Sequence, residues 1–154
     1  MKWLENSGVI ELQRTDSSYT AHYSIVNESL AALTPYLCLL HDRERNYYEA
    51  LKVDLRRSSY LLGRLAAKTA VSTASGKQVT DMAAFYIGFG VFKFPVVKHC
   101  FHSNMQVSIS HCDDIGIALA FPEEHPWVLI WKGWMPIKRR LYRQYLPRLI
   151  MHNC

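Results

Sequence analysis

Late in the chain two apolar runs meet across four polar residues, and this arrangement restricts the fold more than any other feature. Gln106-Val107-Ser108-Ile109-Ser110 alternates polar and apolar residues, the period of a half-buried strand. His111-Cys112-Asp113-Asp114 is polar and turn-prone. Ile115 to Phe121 is a second apolar run of strand length, closed by Pro122. The spacing predicts a β-hairpin, with Ser110 and His111 where the first strand meets its turn. A serine hydroxyl and an imidazole beside exposed backbone N–H groups can hold a phosphate. The plainer reading of the same residues is a turn-capping serine beside a solvated histidine.

Upstream, Gly8–Thr15 and Tyr19–Val26 are β-rich and partly alternating around Asp16-Ser17-Ser18, and read as a first hairpin. Asn27 to Leu33 suits a short helical turn, and Thr34-Pro35 is a helix start with proline at the first position. His41 to Lys52 is helical in composition. A longer helix is predicted from Ser58 or Ser59 to about Ala74, with Leu61, Leu62, Leu65, Ala66, Ala70 and Val71 on a broad apolar face. Gly63 inside it costs about 1 kcal/mol against alanine, so backbone or ligand is expected to approach closely there, tight helix packing being the simpler cause. Ser75-Gly76-Lys77 ends the helix. Val79 to Phe89 is ambiguous, and Gly88 to Val97 reads as an extended loop from which Lys93 projects as a point charge suited to phosphate.

With 154 residues, 49% hydrophobic and 20% charged, the chain suits one domain with a real core, or one lobe of something larger. Met1-Lys2-Trp3-Leu4-Glu5 lacks a hydrophobic signal core, and no apolar run reaches membrane-spanning length, so a cytoplasmic protein without a membrane partner is expected. Cys38, Cys100, Cys112 and Cys154 show no metal-like spacing and read as reduced thiols. There is no Walker loop, G-x-G-x-x-G turn or H-E-x-x-H pair.

The net charge of +5 is unevenly distributed. Residues 1–126 hold twelve Lys/Arg and all thirteen acids, a net of −1. Residues 127–154 hold six Lys/Arg, no acid, and three of the four tryptophans. Two compositions in one short chain suggest two origins or two jobs.

Three segments in order, Arg56–Val71 (RRSSYLLGRLAAKTAV), Gly90–Val97 (GVFKFPVV) and Gln106–Pro126 (QVSISHCDDIGIALAFPEEHP), resemble the N-terminal half of the 4'-phosphopantetheinyl transferases of the Sfp type. Such enzymes move the phosphopantetheine arm of coenzyme A onto a serine of an acyl or peptidyl carrier protein. The resemblance implies an α+β fold, one lobe of a two-lobed protein, in which an antiparallel sheet packs with helices and coenzyme A lies between the lobes. It implies that Ser110 and His111 contact the nucleotide end of coenzyme A, that Lys93 reaches its phosphates, and that Arg56 or Arg57 pairs with the 3'-phosphate through a bidentate fork. The carrier protein is the partner implied, and no nucleic acid.

The resemblance stops near Pro126. The family continues with G-x-D-x-E and, later, a W-x-x-K-E-A helix, whose three carboxylates hold Mg²⁺ on the pyrophosphate. Here WVLIWKGWMPIKRR follows His125-Pro126, with no acid after Glu124. Magnesium requires hard oxygen ligands. Little or no turnover is therefore expected, residues 1–126 being the N-terminal lobe without its second half. The exposed lobe surface is expected to favour self-association.

The genetic code suggests a cause. Reading across codon boundaries, Trp127/Val128 must give Gly and Trp131/Lys132 must give Glu, while the junctions between them permit Ile, Asp and Leu. The shifted frame thus allows G-I-D-L-E where the family carries G-x-D-x-E. The expectation is a frameshift near Pro126, with residues 127–154 an out-of-frame tail. The competing account is a basic, aromatic segment for membrane or nucleic acid, using Trp131, Trp134, Lys138, Arg139, Arg140, Tyr142 and Arg143, although Pro136 and Pro147 interrupt any long helix. A non-catalytic module that binds coenzyme A or a carrier protein is the alternative for the lobe itself.

Overall fold

The computed structural model describes residues 5–13, 17–76, 79–90, 95–98 and 105–122. The architecture is α+β: one antiparallel sheet with a long helix laid across one face. The predicted first hairpin is β1 (Ser7–Gln13) and β2 (Ser18–Asn27), paired from Ser7↔Ser24 to Gln13↔Ser18. A single helical turn, α1 (Leu30–Leu33), follows, capped by the Ser29 hydroxyl on the Ala32 N–H. The Thr34-Pro35 start opens a 3-10 helix, Thr34–Leu39, rather than an α-helix.

Two helices come next. α2 (Asp42–Ala50) begins with a capping box in which His41 and Glu44 each accept the other's end of the first turn. α3 (Asp54–Ser75) starts four to five residues earlier than its apolar periodicity suggests, because Asp54, Leu55 and Arg56 form an exposed first turn that carries no apolar period. It ends at Gly76, whose φ of 62° is the left-handed geometry that a glycine C-cap supplies.

The Val79–Phe89 ambiguity resolves into a 3-10 helix, Val79–Ala84, and β3 (Tyr86–Phe89). The two ends of the segment read as an extended loop are strand instead, since β4 (Pro95–Lys98) lies antiparallel to β3 from Tyr86↔Lys98 to Phe89↔Pro95; residues 91–94 lie outside the described residues. Pro95 begins its strand, where its missing N–H costs the ladder little. The late hairpin is β5 (Met105–Cys112) and β6 (Ile115–Pro122). Its turn is tighter than the sequence suggested: His111 and Cys112 still pair with Gly116 and Ile115, leaving only Asp113-Asp114 to turn. Asp113 takes a φ of 51°, which aspartate tolerates better than most residues. The sheet order is β1-β2-β6-β5-β4-β3.

Alternation along β5 and β6 sorts their side chains by face. Val107, Ile109, Ala118 and Ala120 face α3 and share its core with Leu61, Leu62, Leu65, Ala66, Ala70 and Val71. Ile117, Leu119 and Phe121 form a second cluster on the opposite face, with Ala21. The helix sits very close to the sheet. A Cβ on Gly116 would fall 2.6 Å from the backbone carbonyl carbon and oxygen of Leu62, and one on Gly63 would fall 2.9 Å from Ile109. Gly63 is thus explained by close approach of the sheet. Cys38 and Cys112 are free thiols. Among the described residues no helix is long and apolar enough to cross a membrane. Residues 127–154, with the expected frameshift junction, lie outside the described residues.

Candidate functional site

A pocket of about 500 Å³ opens between the N-terminal half of α3 and the end of β5. That size is in the range of small-molecule sites, about 300–1,000 Å³. Arg56, Ser59, Tyr60, Gly63 and Arg64 line it from α3. Their spacing of three, four, seven and eight residues places them along one side of a helix. Tyr47 and Leu51 close it from the α2 end, Phe89 and Pro95 from β3 and β4, and Ile109 and His111 from β5. Leu55, 71% exposed, and Phe89, 65% exposed, are large apolar groups left open to solvent at this site.

The residues singled out in the sequence do not all converge here. His111 and Arg56 line the same pocket. Ser110 precedes His111 on a strand and pairs with Ile117, so its side chain points to the opposite face of the sheet. The two neighbouring arginines part company as well. Arg57 turns back, its Nε donating to the Leu51 carbonyl at 2.7 Å, its guanidinium 5.6 Å from the Tyr48 ring and 3.9 Å from the Asp54 carboxylate. Arg56 is the one that faces the pocket. Lys93 lies outside the described residues.

One lining cation escaped the sequence reading. Arg64 was visible in the G-R motif, and its eight-residue spacing from Arg56 was the signal that could have found it. Its side chain is only 12% exposed, with the guanidinium carbon 5.1 Å from the Tyr60 ring centroid and 6.0 Å from that of Phe89. Both fall within the reach of a cation–π contact. Its Nε lies 4.0 Å from Glu44 Oε1.

Glu44 is the hub behind the pocket wall. It is 3% exposed, and Oε1 accepts the Ile87 backbone N–H at 2.9 Å. Oε2 accepts the His41 N–H at 3.2 Å and the Lys68 ammonium at 2.9 Å. Lys68, fully buried, also donates to the Met82 carbonyl at 2.6 Å and to the Phe85 carbonyl. Three acceptors around one nitrogen match the three donors of an ammonium. Burial nevertheless pulls the Lys68 pKa below its ordinary value of 10.5, against the opposing pull of Glu44. Tyr60 donates its hydroxyl to the Glu44 carbonyl at 3.3 Å, and burial raises its pKa above 10.0.

Magnesium, which the sequence resemblance brings with it, is not matched by this donor set. None of the described lining residues is a carboxylate. Among the described residues no three His, Cys, Asp or Glu side chains gather closely enough to hold a metal ion. Glu44 already accepts from Ile87, His41 and Lys68.

No protein-family model matches the chain, and no curated protein matches it. Solved structures do. A holo-(acyl-carrier-protein) synthase from Bacillus anthracis str. Ames, in complex with CoA (3',5'-ADP), superposes with a TM-score of 0.54 at 23% identity, covering 66% of this chain and 93% of that one. The holo-[acyl-carrier-protein] synthase of Neisseria meningitidis gives 0.52 at 20% identity, over 67% of this chain and 96% of its own. The chain therefore has the fold of the holo-acyl-carrier-protein synthases. At this identity the likeness defines the fold alone.

Proposed function

We propose that the chain is a protein of the phosphopantetheinyl transferase type, whose α3–β5 pocket receives the nucleotide end of coenzyme A. The supporting observation is the pocket itself. Arg56, Arg64 and His111 offer cationic or hydrogen-bonding groups to phosphates, and Tyr47, Tyr60 and Phe89 offer ring faces to a base. Tyr47 and Tyr60 already pack together, their rings tilted by 39° with centroids 4.9 Å apart. That one solved relative of this fold carries CoA (3',5'-ADP) supports the choice of ligand. Lys93 adds a phosphate contact, and Ser110 contributes through its backbone at the strand end. An acyl or peptidyl carrier protein is the acceptor.

Turnover is impaired in this reading, because the described pocket holds no carboxylate for magnesium and the sequence after Glu124 holds no acid. Residues 127–154 are the out-of-frame tail, and sequencing the coding DNA across codons 120–135 tests that point: codons unable to give Asp in the shifted frame overturn it. The same missing carboxylates favour a second reading, a module that binds coenzyme A or a carrier protein without transferring anything. Apo-carrier protein, coenzyme A and Mg²⁺, followed by mass, separate the two. Arm transfer at an enzymatic rate overturns impairment. Binding of coenzyme A that is lost in His111→Ala, with no transfer, establishes the binding module. Absence of coenzyme A binding altogether sinks the proposal.

A further inference from the structure

Two cations face one carboxylate behind the pocket wall. Lys68 at 2.9 Å neutralises Glu44, and three backbone or carboxylate acceptors use up its donors. Arg64 approaches the same carboxylate no nearer than 4.0 Å. With its side chain 12% exposed, it keeps a surplus positive charge in a site that is mostly desolvated. Two cations that share one carboxylate leave a net positive charge in a largely buried cluster, and such a charge is costly. The rings of Tyr60 and Phe89 offset part of that cost. Arg56 adds a second positive charge at the rim, and no described lining residue supplies a negative one.

We propose that this pocket takes a phosphate or pyrophosphate group free of any divalent cation, with the Arg64 guanidinium as its fixed counter-charge and Arg56 as its mobile one. The inference deepens the coenzyme A reading and rests on it for the identity of the ligand. The electrostatics are direct. A free phosphate completes the charge balance of Arg64 and forms charge-assisted hydrogen bonds with its fork. A magnesium-complexed phosphate arrives partly neutralised and brings a divalent cation against two guanidiniums, with no carboxylate to receive it. Magnesium and the arginines therefore compete for the same oxygens.

Calorimetric titration of the full chain with 3',5'-ADP and with inorganic pyrophosphate, in excess EDTA and in excess MgCl2, tests this. Both ligands are expected to bind in EDTA, with affinity unchanged or lowered by MgCl2. Arg64→Gln is expected to weaken 3',5'-ADP by roughly 10- to 100-fold and Arg64→Lys by less, with melting temperature confirming that each variant folds. The magnesium arm needs no variant, so a misfolded Arg64→Gln leaves the test intact. Binding of 3',5'-ADP that requires MgCl2, or tightens tenfold in it, overturns the inference and leaves the coenzyme A reading standing. Full affinity in a folded Arg64→Gln does the same. Pyrophosphate bound in EDTA without 3',5'-ADP supports the inference and removes the coenzyme A reading. Neither ligand bound in EDTA or MgCl2 removes both.

Discussion

The two ends of α3 solve opposite problems. Toward its C-terminal half, the helix buries Lys68 and satisfies all three donors on Glu44, Met82 and Phe85. Toward its N-terminal half, it presents Arg56, Ser59, Tyr60 and Arg64 to an open pocket, while Leu62 lies so close to the sheet that Gly116 has no room for a Cβ. One end is saturated and shaped for stability; the other keeps spare charge and exposed rings, which is what a binding surface requires. Arg64 stands at the border, within 4.0 Å of the hub yet lining the pocket. The contrast shows how one helix can anchor a fold and still offer unspent polar groups, provided the burial of its two halves differs.

The largest expected effect falls on the saturated end. Lys68→Met leaves the buried Glu44 carboxylate with only the more distant Arg64 as counter-charge, and is expected to cost about 3–5 kcal/mol of stability in denaturant titration. The double variant Glu44→Gln/Lys68→Met is expected to recover part of that loss, because the buried carboxylate is gone and Arg64 is the one charge left over. A neutral Lys68→Met would break the comparison. Next, Gly116→Ala is expected to cost about 1–3 kcal/mol, since the new methyl meets Leu62 backbone rather than a yielding side chain. Coenzyme A binding would fall only as far as α3 is displaced.

Smaller effects separate the two arginines. Arg57→Ala is expected to lose about 0.5–1.5 kcal/mol with its partly exposed bond to the Leu51 carbonyl, and to leave coenzyme A affinity nearly unchanged. Arg56→Ala is expected to do the reverse, weakening coenzyme A about tenfold while leaving stability within about 0.5 kcal/mol. Equal effects of the two on binding would erase the distinction between the pocket face and the anchoring face.

The smallest effect is a pH dependence. Tyr60 has its folded-state pKa raised above 10.0, mainly by burial, so the folded state keeps its proton when the unfolded chain has released it. Its contribution is complete below pH 10 and is lost as pH rises through the folded value. Lys68 runs the other way, since its lowered pKa lets stability rise with pH between the folded value and 10.5. Comparing Tyr60→Phe with the unaltered chain cancels the lysine. The variant is expected to gain relative stability as pH passes 10, and a constant difference would place Tyr60 in solvent instead.

Much of this was readable beforehand for local reasons. The hairpins announce themselves by alternation and turn residues, the C-cap by Gly76, and the apolar side of α3 by its periodicity. The β3–β4 pair was missed because Gly88 and Pro95 look like loop residues, and only pairing with each other and with β5 makes strands of them. The start of α3 was placed late because its first turn buries nothing, so no apolar period marks it. Ser110 and His111 read as one unit in sequence, yet strand alternation sends them to opposite faces.

Residue order alone thus determined the first hairpin, the hairpin that carries His111 and the body of the helix that carries the arginines, because these follow from interactions between near neighbours. Tertiary structure alone decided which arginine faces the pocket, that Glu44 and Lys68 neutralise each other, and that Arg64 is left with surplus charge. Glu44 meets Lys68 across 24 positions and Ile87 across 43, and no local pattern encodes which buried charges will find one another. That pairing is settled only when the sheet closes against the helix and removes the water between them.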